Sequence, residues 1–163
     1  MIFFTHLKNI EKITFFTCSI QKDKQLFTKL NKCKNLKKLK WEGHYGTKMD
    51  NQNVINVLRR VNHLQIKLYH FVQLKMGNLM DNLIELRIDN FGNHCERILV
   101  DENCQEMDPI TFPNLKKLWL EIQQSCLNLI AKLEFPQLEF VDFFFYDNQP
   151  NQRFVEQIKN VKT

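Results

Sequence analysis

Glycine is scarce in this sequence, with 4 residues among 163, and none of them belongs to a phosphate-cradling loop: neither a P-loop nor a dinucleotide-binding pattern occurs. The hydrolase signatures G-x-S-x-G and H-E-x-x-H are missing as well. Five histidines (His6, His44, His63, His70, His94) and many carboxylates are raw material for catalysis with no pattern to organise them. The chain therefore reads as non-enzymatic, with no catalytic residues and no cofactor.

Cysteine is limited to an odd number, five (Cys18, Cys33, Cys95, Cys104, Cys126), with no C-x-x-C pair, which argues against a disulfide framework. These thiols read as small buried apolar groups in a reducing, intracellular compartment, cytoplasmic or nuclear. His94, Cys95 and Cys104 lack the paired short spacing of a zinc site, so no metal is expected. Long apolar runs are missing too. None approaches the ~20 residues a membrane span needs, and Met1–Thr5, followed by His6 and Lys8, lacks the apolar stretch of a signal peptide.

What the chain does contain is a core-forming composition, 44% apolar with 14 Phe, at a length suited to one domain over residues 1–163. Its charge is uneven. Residues 1–80 carry 15 Lys/Arg against 4 Asp/Glu, a net +11, whereas residues 81–163 carry 8 against 14, a net −6. The two halves should meet different neighbours.

The informative signal is a repeated spacing. Phe112-Pro-Asn-Leu-Lys-Lys-Leu-Trp-Leu-Glu121 contains Leu115-x-x-Leu118-x-Leu120, and the same spacing of apolar residues starts at Ile10, Leu36, Val61, Leu83 and Leu138. The steps are 26, 25, 22, 32 and 23 residues. Two apolar residues two apart have the period of a strand. Repetition at 20–29 residues marks stacked units that bury their apolar faces on one another. Ile13, Leu39, Leu64, Leu86, Leu118 and Val141 should thus lie buried on six neighbouring parallel strands, with Trp41 also inward. The residue before the first apolar position is Asn9, Asn35, Asn82, Asn114 or Gln137 in five of six units, an amide placed to bond backbone where the chain turns into the strand.

Between the strands, helical spacing appears in Leu26, Phe27, Leu30 and Cys33 within Lys22–Cys33. It appears again in Val54, Val57, Leu58 and Val61 after a cap at Asp50-Asn51. Cys126–Leu133 after Ser125, Phe154–Val161, and Cys95–Cys104 read as further helices. Glu106–Thr111 reads as an inserted loop, and the form of Phe71–Met80 stays open.

The L-x-x-L-x-L cores, the lead-ins Phe112-Pro-Asn-Leu115 and Phe135-Pro-Gln-Leu138, and helical return legs resemble the longer leucine-rich repeats of ribonuclease-inhibitor-like proteins and F-box proteins. The resemblance covers residues 7 to about 161 and implies an α/β solenoid of about six repeats, with a parallel concave sheet and helical convex legs. Where the family often carries Asn or Cys after the strand, only Cys18 fits; His44, Tyr69, Phe91, Gln123 and Tyr146 do not. Neither end shows a capping unit, so either partners cover the ends or the chain is part of a longer protein.

Alternation across the pleat sends six rows to the concave side: Lys12, Thr14, Phe16; Lys38, Lys40, Glu42; His63, Gln65, Lys67; Glu85, Arg87, Asp89; Lys117, Trp119, Glu121; Phe140, Asp142, Phe144. Lys38, Lys40, His63, Lys67, Arg87, Lys117, Trp119, Phe140 and Phe144 are the candidate partner-binding residues. Trp119, Phe140 and Phe144 would form an exposed aromatic patch of the kind that marks binding. The expected function is a non-catalytic protein-binding module or scaffold subunit of a larger assembly. Two alternatives stand beside it. The resemblance suggests a ubiquitin-ligase substrate receptor, and the lysines Lys22, Lys24, Lys29, Lys32 and Lys34 suggest an RNA-associated subunit of a ribonucleoprotein.

Overall fold

The computed structural model describes residues 9–16, 20–42, 52–73, 80–89, 108–122 and 132–145. Eleven elements follow one another there: β1 (Lys12–Phe16), α1 (Ile20–Leu30), β2 (Lys38–Glu42), α2 (Gln52–Leu58), β3 (His63–Lys67), α3 (Leu68–Gln73), β4 (Glu85–Asp89), β5 (Ile110–Thr111), β6 (Lys117–Ile122), β7 (Leu133–Glu134) and β8 (Phe140–Phe145). The fold is α/β, built on a six-stranded sheet in the order β1-β2-β3-β4-β6-β8, with all pairs parallel.

Every strand of this sheet starts two residues after the first apolar position of its unit, so the sequence spacing sets the register directly. Ile13, Leu39, Leu64, Leu86, Leu118 and Val141 form one continuous row across the six strands. Leu39, Leu64, Leu86 and Leu118 are buried. Ile13 and Val141, on the edge strands with a neighbour on one side only, are half-buried and pack on the same core.

Entry into the strands repeats bond by bond. The N–H groups of Leu36, Val61, Leu83, Leu115 and Leu138 each donate to the carbonyl three residues back, on Cys33, Leu58, Met80, Phe112 and Phe135, at 3.0 to 3.4 Å. This closes a β-turn whose second position is proline in Phe112-Pro113 and Phe135-Pro136, where a fixed φ suits the turn. The head of the turn is apolar each time, an anchor the leucine spacing alone did not reveal. One step further, the carbonyls of Glu11, Lys37, Asn62, Ile84 and Lys116 each accept two N–H donors from the next unit, for example Asn62 and His63 on Lys37, all at 2.8 to 3.1 Å. A shared acceptor at every step holds neighbouring turns in register before the ladder begins.

The amides before the strands bond between units. Asn82 Nδ2 donates to the Arg59 carbonyl at 2.8 Å and Asn114 Nδ2 to the Asp81 carbonyl at 2.6 Å, the equivalent atom one unit back in each case. Arg60, which holds this position in the third unit, reaches further back, to the carbonyls of Asn31 at 3.1 Å and Leu30 at 3.3 Å. Those carbonyls end α1, so the guanidinium satisfies acceptors the helix leaves open.

The core lies between the sheet's inner face and the helical legs. Trp41 is fully buried, edge-on to Phe27 of α1 and stacked on His70 of α3, both with ring centroids 4.7 Å apart. A second aromatic file runs from Phe71 through Phe112 to Phe135, so the two Phe-Pro lead-ins stack on each other at 5.6 Å. Cys33 is buried, as expected, and its thiol is free; burial pushes it up despite the nearby Arg60 cation. The other four cysteines lie outside the described residues.

Several readings change or are completed. The first helix is Ile20–Leu30, and Cys33 sits in the following turn, with Sγ 3.9 Å from the Lys29 carbonyl. The leg left open begins as a helix, α3, directly after β3 and buries Leu68, His70, Phe71 and Val72. Within the supposed inserted loop, Ile110–Thr111 forms β5 and pairs in parallel with β7 in a separate two-stranded sheet. Ile110 enters the core beside Phe112, and that burial fixes the segment as a strand. The cap Asp50-Asn51, the expected helices at 95–104 and 154–161, the helical face after Ser125 as far as Ile130, and the positions Cys18, His44, Phe91, Gln123 and Tyr146 lie outside the described residues, as does the Tyr69 side chain. Leu133, the last apolar position expected on that helical face, lies instead in β7.

Candidate protein interaction face

The register that buries the leucine row turns the alternate residues of each strand to the opposite, outer face. Across the strands it aligns Lys12, Lys38, His63, Glu85, Lys117 and Phe140 in a first row and Thr14, Lys40, Gln65, Arg87, Trp119 and Asp142 in a second; the residues two positions further on, Phe16, Glu42, Lys67, Asp89, Glu121 and Phe144, make the third. Cross-strand neighbours on one face touch, so the charges interact along these rows.

In the first row, Glu85 sits between His63 and Lys117. Its Oε2 lies 2.5 Å from His63 Nδ1 and its Oε1 3.3 Å from Lys117 Nζ. Partial burial raises the Glu85 carboxyl, but the hydrogen bonds and charges of His63 and Lys117 outweigh this and hold it below the usual carboxylate range. The second and third rows are joined through Asp89, which accepts from Gln65 Nε2 and from Arg87 Nε, both at 2.6 Å. Arg87 also spans to Glu121, Nη2 to Oε1 at 3.3 Å. The hydrogen bond that Arg87 donates to Asp89, with the charges of Asp89 and Glu121, pushes the guanidinium above its ordinary value against the lowering effect of burial. Asp89, expected to face outward in the open, is instead 4% exposed, because Gln65 and Arg87 close over it.

Around Arg87 and Trp119 the outer face has two depressions. One, of about 340 Å³, is bordered by Lys12, Lys38, Lys40, His63 and Glu85 together with Arg87 and Trp119. The other, of about 380 Å³, is bordered by Glu121, Asp142 and Phe144 beside the same two residues. The first is mainly cationic and the second anionic and aromatic. Lys40 bonds Glu42 at 2.9 Å with a third of its side chain still exposed.

All nine candidate residues lie on this face. Lys38, Arg87, Lys117, Phe140 and Phe144 are exposed; Lys40, His63, Lys67 and Trp119 are half-buried. Trp119 is less open than expected because its ring packs on Phe140 at 5.4 Å between centroids. Phe16 belongs with the set: at 68% it is the most exposed large apolar residue among those described, and its place in the third row already pointed to it. The acids Glu85, Asp89, Glu121 and Asp142 were equally visible in the rows but carry weight only once cross-strand neighbours are known. The structure divides the lysine run. Lys38 and Lys40 face outward from the sheet, whereas exposed Lys29, Lys32 and Lys34 sit at the end of α1 and in the turn beyond it; Lys22 and Lys24 are in α1, their side chains outside the described set.

Among the described residues no cluster of His, Cys, Asp and Glu could hold a metal ion, and no helix is long and apolar enough to cross a membrane. Compared with known protein families, curated proteins and solved structures, the chain finds no match in any of the three.

Proposed function

We propose that the chain is a leucine-rich-repeat solenoid of about six units that works as a non-catalytic protein-binding module, or as a scaffold subunit of a larger complex, through the outer face of its sheet. The observation that carries this reading is the placement of the strongly exposed large apolar side chains. Among the described residues these are Phe16, Phe140 and Phe144, and all three stand on that one face. Phe140 and Phe144 stand with Trp119 on the β6–β8 side and Phe16 on the opposite edge strand β1, with the ordered charges between them, and exposed aromatics beside charge are the anchors an interface uses. Six parallel strands at about 4.8 Å spacing give a ribbon about 24 Å across, the scale of a standard interface. The repeated turns, shared carbonyl acceptors and inter-unit amide bonds support the solenoid reading, since each unit is built to hold the next.

A second reading, an RNA-associated subunit, is favoured by the exposed lysines at the end of α1 and by the cationic depression. Affinity capture with Phe140→Ala/Phe144→Ala against Lys29→Glu/Lys32→Glu/Lys34→Glu separates the two. Partners lost with the aromatic pair, and retained with the lysine reversal, support the outer face. The opposite result would place the working surface on the helical side. Steep loss of capture with salt, persisting without the aromatics, would favour phosphate contacts.

A further inference from the structure

The outer face has a direction as well as a location. Its β1–β3 side presents Lys12, Lys38 and Lys40, its β6–β8 side Glu121, Asp142 and Phe144, and Arg87 and Trp119 border both depressions. One charged group at the boundary is fixed in advance. Asp89 and Glu121 hold the Arg87 guanidinium through Nε and Nη2, while half the side chain remains exposed. Nη1 takes no part in those two bonds. A rotamer locked before binding loses little entropy on meeting a ligand carboxylate.

We propose that this face takes an extended protein segment of bipolar charge, acidic over β1–β4 and basic over β6–β8. Acidic side chains occupy the cationic depression, with one carboxylate on Arg87. A Lys or Arg enters the second depression, over Trp119 and Phe144 and next to Asp142, where ring faces and a carboxylate both favour a cation. At about 3.3 Å per residue, the ribbon accommodates about seven extended residues, so one short linear segment reaches both depressions. In a second copy of the same face turned about an axis along the strands, Lys38 would meet Lys117 and Glu42 would meet Glu121, like charge on like.

This inference rests on the outer face being the binding surface, and the test separates the two. The probes are labelled peptides of about eight residues: one with a Glu-rich end and an Arg end, its sequence reversal, and one of the same composition with charges alternating. A short oligouridylate is the fourth. Expected are about tenfold tighter binding of one bipolar order over the alternating peptide, and about tenfold loss in Lys38→Glu/Lys40→Glu, recovered when the probe's Glu residues become Lys. Asp142→Asn should cost about threefold for the bipolar probe alone. Equal binding of bipolar and alternating peptides, no binding of either, or tighter binding of oligouridylate would overturn the proposal. If charge order proves irrelevant while Phe144→Ala still abolishes capture of native partners, the outer face stands and the bipolar segment falls. If Phe144→Ala changes neither probe binding nor capture, both fall. The substituted Lys38, Lys40, Asp142 and Phe144 side chains are half-buried or exposed, and a thermal melt of each variant is the check that the fold is kept.

Discussion

Each strand of the large sheet carries two proteins' worth of chemistry on its two faces. In β6 the inner residues Leu118 and Leu120 are buried aliphatics, and the outer ones, Lys117, Trp119 and Glu121, share no chemical character. Along the inner leucine row the residue is Leu or another branched aliphatic in all six strands; along the outer row next to it the residues are Lys, Lys, His, Glu, Lys and Phe. An inner side chain must fit the strand on either side and the leg beneath, so packing narrows it to a few shapes. An outer side chain needs only compatible neighbours, so its identity is available for recognition.

The most direct way to break that contrast is to truncate one residue on each face of the same strand. Leu118→Ala should destabilise by about 2–5 kcal/mol, because the cavity opens against both β4 and β8. Lys117→Ala, one position away, should stay within about 0.5 kcal/mol. Equal shifts in denaturant midpoint would mean the two faces are not distinct.

Binding should show the reverse order. Trp119→Ala or Phe144→Ala should weaken association with a captured partner by about 2 kcal/mol, as truncating aromatic anchors does. Phe144→Ala should leave the melt nearly unchanged, since the side chain is 59% exposed. Trp119→Ala should lower it modestly through the lost Phe140 contact. A Phe144 variant that melts early but binds normally would move that residue from the interface to the fold.

The inner face was legible in the sequence because a strand's period of two and the unit step together place the buried leucines of the six-stranded sheet. The outer face was legible only as a set of rows. Which charges pair depends on cross-strand neighbours 22 to 34 residues apart in sequence, as with His63 and Glu85 or Arg87 and Glu121. Asp89 shows the consequence: alternation put it outside, and two neighbours from different strands buried it. The amides before the strands were recognised as turn residues, but their bonds run to the previous unit, a distance that local turn chemistry does not supply. β5 and β7 escaped because two-residue strands carry no period at all.

Those inter-unit amides give a smaller prediction. Asn114→Ala removes a 2.6 Å bond to the Asp81 carbonyl and should cost about 1 kcal/mol, with Asn114→Asp no rescue, because a carboxylate cannot donate to a carbonyl. Full rescue by Asp would mean the side chain serves its own turn and not the neighbouring unit.

The smallest effect expected is the one that tests whether the outer charges are ordered as a row. Glu85 is held below the usual carboxylate range by His63 and Lys117, against the opposing pull of burial. A carboxyl depressed in the folded state adds stability that is present above its unfolded pKa of about 4.3 and is lost as the pH falls through its folded value. Wild type should therefore exceed Glu85→Gln in stability at pH 7 by less than about 1 kcal/mol, given how open the row is to water. The gap should persist down to about pH 5 and close only as the pH falls through the depressed folded value, where the wild-type side chain becomes neutral. Added salt at pH 7 should narrow the same gap. Denaturant midpoints of the two proteins across this range decide the matter. A gap that does not close as the pH falls would mean Glu85 acts through packing and not through its charge.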